Sequence, residues 1–259
     1  MSLITRRHFA SMLGLVAVNG VLRPDAVAQE AHEALVPQKK PSTAKPGAEP
    51  VVELDREHAA PEEIWADLMK GNKRFSSGKV LVRDVVKARA NTSSAQHPYV
   101  MVLCCADSRL SPELIFDQNI GDLFVVRTVG NIADEIALGS LEYAIEHLGS
   151  RMLVVMGHEK CGAVTATLSG EAMPTENLNA IVKKIRPGID RLKGLVHGDT
   201  LVGLAVEANV HHSAADVIEE SPIVHHALAA GKLSIVKAVY KIGTGEVFRL
   251  DSMENKAAG

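Results

Sequence analysis

A chain of 259 residues, 46% apolar, 23% charged and 3% aromatic, has the composition of a folded globular protein, which excludes a disordered, collagen-like or multi-span membrane chain. Its 28 Lys and Arg nearly balance 31 Asp and Glu, for a formal charge of −3, so no nucleic-acid partner is expected. Three cysteines are too few for a disulfide scaffold at this length.

The chain opens with paired arginines in Thr5-Arg6-Arg7-His8-Phe9, then a mostly apolar run over residues 10–22, then Ala26-Val27-Ala28. Small residues at those last positions suit a signal peptidase, and the whole resembles a twin-arginine export signal. It departs from that pattern in lacking a Leu after Phe9 and a closing Lys. The apolar run is shorter than the roughly 20 residues that cross a bilayer as a helix. Residues 1–28 are therefore expected to be a removable export signal, leaving a periplasmic protein with no stable membrane insertion. Residues 29–50 carry Pro37, Pro41, Pro46 and Pro50 among Lys, Glu, Gln and Ala. They hold too little apolar surface to order and are expected to form a flexible linker. Residues 51–259 remain as the folded domain.

Within it, Pro61-Glu62-Glu63 opens a helical pattern with Ile64, Leu68 and Met69 on one side, ending near Gly78. Residues 99–104, 123–126 and 152–156 are short continuous apolar runs, the pattern of strands buried on both faces. Between the second and third, residues 136–148 are predicted helical with Ile136, Leu141, Ala144, Ile145 and Leu148 on one side. Further helices are predicted over 162–168, 177–193, 201–218 and 222–230. Residues 233–242 and 246–250 flank Gly243-Thr244-Gly245, a hairpin signal. Strands alternating with helices predict an α/β fold with a mainly parallel central sheet flanked by helices, an N-terminal helical arm and a C-terminal β-hairpin.

In such sheets chemistry collects beyond the C-terminal ends of strands. Cys105-Ala106-Asp107-Ser108-Arg109 directly follows the first predicted strand, and His158-Glu159-Lys160-Cys161-Gly162 follows the third. Cys105, His158 and Cys161 would give a Cys₂His set, the three-ligand count of a catalytic zinc with one open position. Cys161 would also lie near a helix N-terminus, where a thiolate is stabilised. Cys104, one residue earlier in the strand, should point to the opposite face and pack in the core. His211-His212 and His225-His226 have no companion cysteines and are expected to be solvated or packing residues. Asp107 and Arg109 are placed to pair side by side. A carboxylate beside an open coordination position would itself become a ligand in a closed state; an Arg holding it keeps that position free for water, whose hydrogen bond the carboxylate then accepts.

Cys105-x-Asp107-Ser108-Arg109 with His158-x-x-Cys161-Gly162 resembles the signature of β-class carbonic anhydrases. The likeness extends through Gly71-Asn72-Lys73-Arg74-Phe75, Pro112-Glu113-Leu114-Ile115-Phe116-Asp117, Gly130-Asn131-Ile132 and Gly139-Ser140-Leu141-Glu142-Tyr143. It implies a catalytic domain over 51–259 that reversibly hydrates carbon dioxide to bicarbonate and a proton. The attacking hydroxide would be carried on Zn²⁺, one ion per subunit. The resemblance gives Cys105, His158 and Cys161 the ligand roles and Asp107 and Arg109 the gating dyad. Gln96 takes the substrate-side glutamine position, and the Gly162 N–H would bond a bicarbonate oxygen. Apolar pocket residues contributed across a dimer interface would fall on Phe124, Val129 and Tyr143. A homodimer or homotetramer is implied, with residues 61–75 embracing the neighbour.

Some bacterial members close their site when the Asp binds zinc, through a bicarbonate pocket that includes a Trp. Here that position is Val102, although Arg127 occupies the place of the pocket's Arg and the single Trp is Trp65. An open site with Asp107 held by Arg109 is therefore expected. Three alternatives use the same residues: a carbon disulfide or carbonyl sulfide hydrolase, a zinc-binding module without turnover, and a thiol redox protein built on Cys104-Cys105. The Asp107–Arg109 pair argues against the second, and strand alternation, which points the two cysteines apart, against the third.

Overall fold

The structure is a computed structural model, and it describes residues 54–56, 58–192, 194 and 197–250. The expected export signal and linker lie outside the described residues, as does Lys193 at the predicted end of one helix.

Helix α1 (Pro61–Ser76) starts as its sequence dictates. Pro61 sits in the first turn, where no amide donor is needed, and Glu63 reaches back to accept the Ala60 N–H at 2.7 Å. Its buried face carries Ile64, Trp65, Leu68, Gly71 and Asn72. A Cβ on Gly71 would stand 1.8 Å from the Phe116 carbonyl oxygen, so glycine is what allows this close approach. Beside it, Trp65 meets Phe116 edge-on, with ring centroids 6.5 Å apart.

Helix α2 (Val85–Asn91), capped by Asp84, leads to β1 (Val100–Cys105). A single turn, α3 (Pro112–Ile115), precedes β2 (Leu123–Thr128), which ends in a 3-10 turn over Val129–Asn131. Helix α4 (Glu135–Leu148), β3 (Met152–His158), α5 (Gly162–Ser169) and α6 (Glu176–Ile189) follow. The long α7 (Gly198–Glu220), α8 (Pro222–Ala229), β4 (Ser234–Lys241) and β5 (Glu246–Arg249) complete the order.

The five strands lie in the order β2-β1-β3-β4-β5. The first four are parallel, and β5 returns antiparallel as the hairpin partner of β4. Every residue of β1 and β3 is buried, whereas edge strand β2 is only half-buried. Helix α7 crosses β3 and β4 so closely that a Cβ on Gly157 would meet Val210 Cγ2 at 2.6 Å.

The predicted fold class is observed, with corrections of detail. All three predicted strands run further than their apolar runs: to Cys105, Thr128 and His158. The backbone ladder continues past the last apolar side chain, because Cys105 has Thr128 as its register partner and His158 has Tyr240. Two of the three candidate ligands thus belong to the sheet itself. Ile136, grouped with Leu141 and Ala144 on one side of the predicted helix, is 73% exposed; the buried stripe of α4 is Ala137, Leu138, Leu141 and Ala144. Helix α7 exceeds its predicted span at both ends, and α2 and α3 are too short to carry a periodic pattern.

Candidate metal centre

Parallel pairing of β1 with β3 sets the C-terminal ends of these two central strands side by side, with Cys104 level with Met156. Cys105 and His158, the last residues of the two strands, therefore become neighbours. Cys161 follows as the N-cap of α5. The intervening loop turns tightly enough that Lys160 adopts a left-handed backbone (φ 56°). The ligand atoms of Cys105, His158 and Cys161 all lie within 4.8 Å of one another, and all three residues are buried.

Each donor is oriented by backbone. His158 Nδ1 lies 2.9 Å from the Glu159 carbonyl oxygen; a carbonyl only accepts, so Nδ1 carries the proton and Nε2 presents a lone pair. That Nε2 is buried and has no hydrogen-bond partner among the described residues. Glu159 is pinned in turn, its N–H donating to the Tyr240 carbonyl at 3.0 Å and its Oε1 accepting the Gly243 N–H at 2.9 Å. The Gly130 N–H donates to Cys105 Sγ at 3.3 Å.

These surroundings separate the thiols. The neighbouring Cys161 thiol and the Gly130 N–H favour the Cys105 thiolate over the opposing burial and hold its pKa well below that of an ordinary thiol. Cys161, beside that sulfur and itself buried, is pushed up, although amides at the start of α5 partly offset this. Two soft sulfurs, one readily ionised, facing an unpartnered imidazole nitrogen fit a tetrahedral Zn²⁺ with one open position. Cys104 behaves as expected for a core residue: it is fully buried, and burial pushes its thiol up to about 12.

Asp107 and Arg109 form a two-point ion pair, Arg109 Nε to Oδ1 at 2.9 Å and Nη2 to Oδ2 at 2.7 Å. The Arg109 backbone N–H adds a third bond at 3.0 Å. Arg109 thereby holds the carboxyl well below the usual carboxylate range. Asp107 Oδ2 lies 3.9 Å from His158 Nε2, beside the three donors and turned toward Arg109. Arg127 grips the same loop from β2, its Nη2 donating to the Asp107 carbonyl at 2.7 Å and its Nε to the Cys105 carbonyl at 3.4 Å.

The remaining candidates are scattered. Gly162 is exposed at the first position of α5, next to Cys161. Val129, 45% exposed, follows Thr128, the register partner of Cys105. Phe124 lies further back on β2, level with Met101, its ring centroid 6.5 Å from that of the half-exposed Tyr143 on α4. Gln96 is exposed ahead of β1, at the end of that strand opposite Cys105. One chain therefore does not bring Gln96 to the three donors. The sequence assigned no role to Gly130, although Gly130-Asn131 stood within a motif of the resemblance, and with Val102 in the Trp position Arg127 was left without a role, which the structure supplies as a clamp on the Cys105–Asp107 loop. Of the other histidines, His212 Nε2 is 3.1 Å from the Lys184 carbonyl, and the rings of His225 and His226 stack edge-on.

The carbonic anhydrase family model matches residues 100–247. Carbonic anhydrase 2 of Mycobacterium tuberculosis is 35% identical over 199 residues, covering 75% of this chain and 95% of its own. The carbonic anhydrase of Mycolicibacterium smegmatis is 38% identical over 192 residues, 72% of this chain and 92% of its own. Among solved structures, the Coccomyxa β-carbonic anhydrase in complex with acetazolamide superposes with a TM-score of 0.57 at 29% identity, covering 78% of this chain and 92% of that one. With the sheet, the donor triad and these likenesses in agreement, the chain belongs to the β-class carbonic anhydrases, a family of lyases.

Proposed function

We propose that this protein catalyses the reversible hydration of carbon dioxide to bicarbonate and a proton, with one Zn²⁺ per subunit held by Cys105, His158 and Cys161. The observation that carries this reading is the buried, unpartnered His158 Nε2 facing two thiols within 4.8 Å. When bound, zinc supplies Lewis acidity, lowering the pKa of a water at its open position to about 7. Cys105 and Cys161 hold the site in thiolate form, and the Glu159 carbonyl fixes the His158 tautomer. Arg109 occupies both oxygens of Asp107 and keeps that carboxylate from becoming a fourth ligand. Asp107, ionised throughout the neutral range, is left to accept a hydrogen bond from the incoming water and so orient it.

The Gly162 N–H is assigned to a bicarbonate oxygen. Gln96, Phe124, Val129 and Tyr143 are assigned to the substrate side of a pocket completed by a second copy, in a homodimer or homotetramer. Supporting this are the exposed apolar side chains Val129, Ile136 and Tyr143 and the half-buried edge strand β2. Residues 1–28 are assigned to twin-arginine export to the periplasm, residues 29–50 to a linker and residues 51–259 to catalysis.

Stopped-flow carbon dioxide hydration by residues 29–259, with zinc measured alongside, tests the reading. The parent is expected to carry stoichiometric zinc and turn over, and Cys161→Ser to lose both. A zinc-free active parent, or a zinc-loaded inactive one, overturns it.

A further inference from the structure

We propose that Asn209, on α7, is a positioning residue for the metal centre: it fixes the Gly130 residue whose N–H rests on the Cys105 sulfur. Asn209 is 1% exposed. Its Nδ2 donates to the Gly130 carbonyl at 2.8 Å and lies 3.4 Å from Asn131 Oδ1. From the other side of the same residue, the Gly130 N–H donates to Cys105 Sγ at 3.3 Å. Only the φ and ψ of Gly130 separate its N–H from its carbonyl, so clamping the carbonyl aims the N–H.

The turn needs that clamp. Gly130 and Asn131 are consecutive residues in left-handed backbone, at φ 77° and 48°, a conformation that only glycine adopts freely. Gly130 has no side chain to hold it, and a Cβ there would meet Ile185 Cδ1 at 2.7 Å. The fixing contacts come from α7: Asn209 on the Gly130 carbonyl, and Ser213 Oγ, 3.3 Å from Asn131 Nδ2. Packing alone does not account for an amide at position 209. Its Oδ1 is buried with no hydrogen-bond partner among the described residues, and an apolar side chain of that size would fill the space without burying one.

The inference rests on the proposed metal centre. A backbone N–H on a ligating thiolate draws charge from sulfur and fixes its direction, and such supporting contacts govern metal affinity by about 10- to 100-fold. In Asn209→Asp the residue keeps its size but loses the donor; Asn209→Leu removes all polarity. Ser213→Ala, which loosens Asn131 and leaves the Asn209–Gly130 bond, is the control. Zinc affinity is measured by chelator competition, the thiolate-to-cobalt charge-transfer band on cobalt-substituted protein, and folding by melting of the metal-free proteins. Both Asn209 variants are expected to bind zinc at least about tenfold more weakly and to shift the cobalt band, with Ser213→Ala matching the parent in both. A folded Asn209 variant with parental affinity and band overturns the role, and so does an equal change in Ser213→Ala. If neither Asn209 variant folds, NMR of the unaltered cadmium-loaded protein decides. Scalar coupling from cadmium to the Gly130 amide proton together with slow exchange of the Asn209 side-chain amide supports the role, and absence of either overturns it. A parent that takes up neither zinc nor cobalt overturns the metal centre and this role together, whereas failure of the Asn209 role alone leaves the parent's metal binding intact.

Discussion

Arg109 holds Asp107 through two parallel bonds and a backbone amide, a fork that an ammonium cannot reproduce. Arg109→Ala is expected to lower kcat/KM for carbon dioxide hydration by about 100-fold, because the released carboxylate would compete for the open position of the proposed zinc. Arg109→Lys should recover only a minor part of that loss. Stopped-flow rates check both, and parental rates in Arg109→Ala would remove the dyad from the mechanism. The candidate ligands and this dyad were legible in the sequence because they directly follow the apolar runs that mark two buried strands. Gly130 was not, since what matters there is an N–H, which every residue but proline carries. The side chain that aims it comes from 79 positions further along the chain.

At the scale of elements, Asp117 joins the first half of the chain. Its side chain is 3% exposed and pairs with Arg74 from α1 and with Arg83 from the segment before α2; it also accepts the Leu81 N–H at 3.2 Å. Burial opposes its charge, but the two guanidinium groups prevail and hold its carboxyl below the ordinary value of 3.8. Since the folded-state pKa is the lower one, the stabilisation is complete above the unfolded value and is lost as pH falls through the folded one. Asp117→Asn should therefore cost about 3 kcal/mol at pH 7 by urea denaturation, and its deficit should shrink as the pH drops below about 4. None of this network shows in the hydrophobic pattern. The strands were readable from their apolar runs, but their last residues were not. The ladder at Cys105, Thr128 and His158 is held by backbone groups and is indifferent to polarity.

For the whole molecule, the proposed export and the proposed zinc site bear on each other. Free thiols entering an oxidising space unfolded are open to disulfide capture, whereas a twin-arginine route carries cargo already folded. On the proposed twin-arginine route, replacing Arg6-Arg7 with Lys-Lys is expected to retain the protein in the cytoplasm, as cell fractionation would show; undiminished export would exclude that route. No helix among the described residues is long and apolar enough to cross a membrane.

The pairing of β1 with β3 carries one more consequence. A slip of a single residue would turn Cys105 to the far side of the sheet and leave His158 without its sulfur neighbour. The native alignment, unlike either slipped one, brings all three donors within reach of a single cation. An ion present at a hundredfold excess over its dissociation constant would favour that alignment over the unfolded chain by about 2.7 kcal/mol. The zinc proposed for the chemistry would in this way also proofread the assembly of the sheet around it.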